Sequence, residues 1–125
     1  MRIIPTRVHG VLDFLSAATL VALPRLLGWD NRVTKLLAAT AGSSLVYSLL
    51  TRYELGAVGA LPMRAHLALD GLSGGVLCSA ALLWRDREEA GVIGALYGLG
   101  VFELAAAVMT ETEPTFESLR QRTRR

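Results

Sequence analysis

The chain has 125 residues, 52% of them hydrophobic and 19% charged, with a formal net charge of +2. By length this is one domain, 1–125, and a single cysteine, Cys78, excludes an internal disulfide. The charges gather at 25–35, 52–64, 85–89 and 111–125, and the segments between them are apolar nearly all round. A soluble bundle keeps one charged face on each helix, so this pattern favours lipid as the solvent and leaves a soluble helical bundle as the alternative. The basic tail carries no aromatic interleaving and no nucleic-acid-binding motif, so it reads as an anchor beside anionic lipid, with no nucleic-acid partner.

Residues 1–6 form a short basic lead, with Pro5 preventing an earlier helix start. The first helix is expected over about 7–28. It is not a signal peptide, because Asp13 lies inside it and its pattern returns at 64–84. Asp30 and Asn31 make a turn and an N-cap, and a second helix follows over about 32–53. Gly56, Gly59 and Pro62 connect it to a third helix over 63–84. A charged loop at 85–89 leads to the fourth, over about 89–110, before Pro114 and a short tail helix. The uncharged runs are short, the longest being 16 residues at 36–51, whereas a span needs about 20. The spans reach that length only if His9, Asp13, His66, Asp70 and Glu103 lie inside them; residues 8–29 then make 22 residues, roughly 33 Å at 1.5 Å each.

The chain repeats itself. Arg7, His9, Leu12, Asp13, Leu15, Ser16 and Leu20 recur 57 residues later as Arg64, His66, Leu69, Asp70, Leu72, Ser73 and Leu77. A fainter match at an offset of 59 pairs Leu37, Leu45, Thr51 and Glu54 with Leu96, Leu104, Thr110 and Glu113. The expected architecture is therefore an all-α, four-transmembrane-helix bundle of two tandem two-helix repeats, about 7–56 and 64–114, with a basic tail at 115–125. Each repeat contains two spans, so the halves share one orientation. Arg2, Arg7, Arg52, Arg64, Arg120, Arg122, Arg124 and Arg125 fall on one side, against Arg25, Arg32, Lys35, Arg85 and Arg87 on the other. That asymmetry predicts N-in and C-in, with Trp29 and Trp84 at the outer interface and Tyr53 at the inner one.

The topology also brings the polar residues to one level. His, Asp and Ser at i, i+4 and i+7 share a helix face, giving His9, Asp13 and Ser16 on one helix and His66, Asp70 and Ser73 on another. Glu103 and its counterpart Ser44 each stand seven residues before a helix-ending threonine, at the same depth as the aspartates. The second helix continues the polar stripe with Thr40, Tyr47, Ser48 and Thr51. Carboxylates in hydrocarbon are costly, so these groups should face one another inside the bundle. The leading reading is non-enzymatic: a membrane module or accessory subunit whose cluster locks the bundle and binds protons or a cation. One alternative is a metal site drawn from His9, Asp13, His66, Asp70 and Glu103, or a haem held by His9 and His66. Another is an interfacial enzyme on a lipid-like substrate, although no nucleophile is evident and no catalytic residue is assigned. No resident cofactor is predicted; the partners are the bilayer and other membrane subunits. Gly71-x3-Gly75 and Gly94-x3-Gly98 are expected to serve close helix packing inside the bundle.

Arg-x-His-x2-Leu-Asp opening each half, residues 50–56 (Leu-Thr-Arg-Tyr-Glu-Leu-Gly) and residues 61–66 (Leu-Pro-Met-Arg-Ala-His) together resemble the SPW-repeat family. The resemblance covers about 7–114; the Ser-Pro-Trp triplet itself falls on Leu23-Pro24-Arg25 and Ala80-Ala81-Leu82, where only Pro24 is kept. It implies a small multi-pass protein of the bacterial inner membrane, made of two two-helix units, and no particular reaction.

Overall fold

Prolines open two of the helices. Pro5 and Pro62 stand immediately before α1 (Thr6–Leu26) and α3 (Met63–Trp84), both in extended backbone with φ near the value the ring imposes. Between and after them run α2 (Asn31–Leu50) and α4 (Ala90–Met109). This computed structural model describes residues 1–114 and Phe116. The expected tail at 115–125 otherwise lies outside the described residues. Asp30 caps α2 as expected, its carboxylate accepting from Arg32 N at 2.7 Å.

The second helix stops at Leu50, short of the expected 53, because other backbone takes over its bonding. Thr51 turns extended, Leu61 N donates to Leu50 O at 2.8 Å, and Arg52 N donates to Leu61 O at 2.8 Å. The far end of the chain does the same. Thr110 is extended, Ile3 N and Ile4 N donate to Met109 O at 2.8 and 3.0 Å, and Glu111 N donates to Ile4 O at 2.9 Å. The two resulting bridges join Ile4 to Thr110 and Thr51 to Leu61. Ile4 and Leu61 are 57 apart, Thr51 and Thr110 are 59 apart, and these are the offsets found in the sequence.

Helix α1 packs chiefly on α2, and α3 on α4. The α3–α4 approach rests on two other glycines than those expected. A Cβ on Gly74 would lie 2.6 Å from Gly100 O, and one on Gly100 would lie 2.7 Å from Gly74 O and 2.6 Å from Cys78 Sγ. Gly71, Gly75, Gly94 and Gly98 have nothing within 4 Å of a Cβ, so the two GxxxG patterns point away from the bundle. Their spacing defined a stripe on each helix, and the stripe faces outward.

The core is divided along its length. Toward the Trp29 and Trp84 end, Leu20, Leu37, Leu77 and Leu96 are fully buried, one from each helix. The Arg32 guanidinium lies 5.5 Å from the centroid of the Trp84 ring and links α2 to α3 there. At the other end polar residues are buried, His9, Asp13, Ser48, Thr51, His66, Asp70 and Thr110, beside a small apolar cluster of Tyr53, Met63 and Leu67. Outside, Leu15, Leu72, Leu83 and Val108 are 60, 64, 77 and 69% exposed. Polar residues inside and aliphatic ones outside invert the usual order for a protein in water. All four helices are long and apolar enough to cross a membrane, at 20 to 22 residues. This is the pattern of a multi-pass membrane protein, with both ends of the bundle's chain, joined by the Ile4–Thr110 bridge, at the polar end.

Candidate metal centre

His9 and Asp13 share one face of α1 because they are four residues apart; His66 and Asp70 do the same on α3. Those faces meet, and the pairs interleave. His9 Nε2 is 3.2 Å from Asp13 Oδ1 and 2.9 Å from Asp70 Oδ2. His66 Nε2 is 3.2 Å from Asp13 Oδ2 and 3.2 Å from Asp70 Oδ2. The two Nε2 atoms are themselves 3.2 Å apart. One ligand atom from each of the four residues falls within 4.8 Å of all the others, and the four residues are buried.

The opposite ring nitrogens are held by the helix-ending threonines. Thr51 Oγ1 lies 2.6 Å from Tyr47 O and 2.9 Å from His66 Nδ1. Thr110 Oγ1 lies 2.6 Å from Ala106 O and 2.8 Å from His9 Nδ1. A hydroxyl has one proton, and the carbonyl takes it. Each threonine oxygen therefore accepts, so each histidine carries hydrogen on Nδ1. In the neutral ring that leaves the Nε2 lone pair facing inward. Two lone pairs then confront each other and two carboxylates across about 3 Å, an arrangement that needs positive charge at its middle.

Hydroxyls from α2 and its following loop hold the carboxylates. Tyr47 donates to Asp70 Oδ1 at 2.6 Å, and Ser48 donates to Asp13 Oδ2 at 3.1 Å. Tyr53 donates to the same Asp13 oxygen at 3.3 Å. Its ring fits because residue 10 is glycine: a Cβ there would lie 2.5 Å from Tyr53 Cε2. Burial, and then the Asp13 charge, push the Tyr53 phenol above its ordinary range, so it stays protonated as a donor.

The spacing suits an ion. Bonds of 2.0–2.1 Å to a tetrahedral centre separate neighbouring ligand atoms by about 3.3 Å. The nitrogen–nitrogen and nitrogen–oxygen separations of 2.9–3.2 Å come close to that edge, although Asp13 meets His9 through Oδ1 and His66 through Oδ2, and one atom from each of the four lies within 4.8 Å of the rest. Imidazole and carboxylate together suit Zn²⁺, Fe²⁺, Co²⁺ or Mn²⁺. The threonine behind each ring supplies the outer support that ligating histidines usually have. A haem does not fit between these rings. Axial nitrogens on opposite faces of a haem stand about 4 Å apart, with a flat macrocycle between them. Here the gap is 3.2 Å, and carboxylate oxygens touch both nitrogens within it.

Not every expected residue joins the four. Glu103 lies beside them rather than in the ligand set, lining a small cavity together with His9, Asp13, Ser16, Ser44 and Asp70. Ser44 and Ser73 flank the Tyr47 hydroxyl. Thr51 was expected only as part of the polar stripe on the second helix, and Thr110 and Tyr53 were not expected to have a role in the site. The faint register pairing Thr51 with Thr110 is the sequence signal that marks two of them. No protein family, no curated protein and no solved structure matches this chain.

Proposed function

We propose that this is a membrane protein that binds one divalent transition-metal ion through Nε2 of His9 and His66 and a carboxylate oxygen of Asp13 and of Asp70. One observation carries this reading: the two Nε2 atoms stand 3.2 Å apart while both Nδ1 hydrogens are engaged by threonines. Two aspartates and a divalent ion sum to zero, which removes the cost of isolated charge in hydrocarbon. The ion would also tie α1 to α3, the first helix of each hairpin.

The same four residues with two protons in place of the ion make a purely structural lock, and the close His–Asp contacts are compatible with it. With both protons on the rings, the lock brings two cationic Nε2–H groups into contact at 3.2 Å, a repulsion that the ion removes. The matched bridges and the four equivalent leucines support two tandem two-helix units of the SPW-repeat kind. The arginine count supports N-in and C-in topology in a bacterial inner membrane.

Protein purified in mild detergent without chelators is expected to contain one Zn, Fe or Mn per chain by elemental analysis, or to take up one Co²⁺ after stripping. His9→Ala and His66→Ala should each abolish stoichiometric uptake. A folded wild-type protein that takes up none of these ions would leave the proton-bearing lock.

A further inference from the structure

The two hairpins surround the centre unequally. At the offset of 59, Tyr47 corresponds to Ala106, Ser48 to Ala107 and Ser44 to Glu103. On the α2 side, hydroxyls reach both aspartates, at 2.6 Å from Tyr47 and 3.1 Å from Ser48. On the α4 side the corresponding residues end in methyl groups and reach neither. Beside Ala106 there is a cavity of about 10 Å³, bordered also by His9, Asp13, Asp70 and Glu103. That is close to the volume one water needs.

The wall of this cavity contains an unsatisfied acceptor. Glu103 Oε2 is buried and has no hydrogen-bond partner among the described residues. Buried carboxylate oxygens almost always have a donor, and one inside a bilayer has the most to lose without it. The ionisable groups around the cavity are His9 and Asp13 from α1, Asp70 from α3 and Glu103 itself from α4; α2 contributes the hydroxyl of Ser44. Three carboxylates repel an anion, and so small a space excludes a larger ligand. A single neutral molecule that presents a lone pair to the ion and an O–H to Glu103 meets both demands.

We infer that the metal centre has one exchangeable position, opened on the α1–α4 side by Ala106, where a water binds the ion and donates a hydrogen bond to Glu103. This rests on the metal reading above. The water adds a fifth ligand to the four protein atoms, so the ion is five-coordinate with one exchangeable position rather than closed and tetrahedral. Glu103 is on this account a positioning residue for the water and not a ligand.

The test uses the full chain in detergent, stripped and loaded with Co²⁺, with electron–nuclear double resonance recorded in ¹⁷O-enriched water. Wild-type protein should show one ¹⁷O-coupled water. Ala106→Val, which fills the cavity, and Glu103→Leu, which removes the acceptor at similar size, should keep one Co²⁺ per chain and lose that coupling. Stoichiometric Co²⁺ without ¹⁷O coupling in the wild type overturns the inference while leaving the metal site standing. Coupling unchanged in both variants overturns it as well. A wild-type protein that takes up no Co²⁺ overturns the metal reading and this one with it.

Discussion

The two ends of this bundle are built on the same register by opposite chemistry. At the tryptophan end four leucines, Leu20, Leu37, Leu77 and Leu96, meet with one contribution from each helix. Lipid tails are as apolar as leucine, so burying these side chains gains little from desolvation, and what remains is close packing. At the other end the alternative to the His–Asp–Thr arrangement is unsatisfied polar groups in hydrocarbon, which cost far more than a poor van der Waals fit. The difference separates two tasks. The leucine end is equivalent in both halves and gives the helices their spacing. The polar end decides which residues must meet, and it is there that the halves diverge, Tyr47 and Ser48 of one corresponding to Ala106 and Ala107 of the other.

The largest effect should come from breaking the polar end from behind. Thr51→Val and Thr110→Val keep the shape of the side chain while removing the oxygen that receives each Nδ1 hydrogen. Loss of one such support typically costs 10–100-fold in metal affinity, so the double variant should bind Co²⁺ about 10²–10⁴-fold more weakly by competitive titration with a chelator. Melting of the metal-free protein, followed by circular dichroism, should change far less than the affinity. If affinity were unchanged, the threonines would be mere helix ends.

A smaller effect, opposite in kind, should come from the leucine end. Leu37→Ala removes a fully buried side chain from the four-helix contact. With lipid as the reference solvent the transfer contribution largely vanishes and the cavity contribution remains, so the expected loss is about 1–3 kcal/mol in detergent unfolding. Co²⁺ affinity should stay within twofold of wild type. A parallel loss of affinity would mean that the two ends are not separable.

How much of this division is readable in the chain follows from what spacing encodes. The i, i+4 placement of His9 with Asp13 and of His66 with Asp70 puts each pair on one face, and the exact repetition at 57 makes it natural that the two faces meet. Depth is legible too: counting from the helix ends placed Glu103 and Ser44 level with the aspartates. Direction around the helix axis is less so. Glu103 has the right height yet stands beside the four ligands, on the wall of the cavity it shares with Ala106 and Asp70. The threonines were legible as polar, helix-ending positions but not as the partners of the two rings. Their role depends on where α2 and α4 stop, and that is set by the backbone bridges to Leu61 and Ile4, long-range contacts that no local pattern announces.

The glycines test the same limit with the smallest expected effect. Two GxxxG spacings drew attention to Gly71, Gly75, Gly94 and Gly98, but the close contact belongs to Gly74 and Gly100, which form no such motif together. Glycine inside a helix costs about 0.5–1 kcal/mol relative to alanine, and a new methyl at 71 or 75 meets nothing within 4 Å. Gly71→Ala and Gly75→Ala should therefore stabilise the detergent-solubilised protein by that modest amount each. Gly74→Ala adds the same helix preference but sets its methyl 2.6 Å from Gly100 O, which is backbone and cannot swing aside. It should lose about 1–3 kcal/mol, the usual cost of overpacking. If the signs reversed, with positions 71 and 75 sensitive and 74 tolerant, the outward stripe would be covered by something in solution, and the α3–α4 contact would not be the one that spaces these helices.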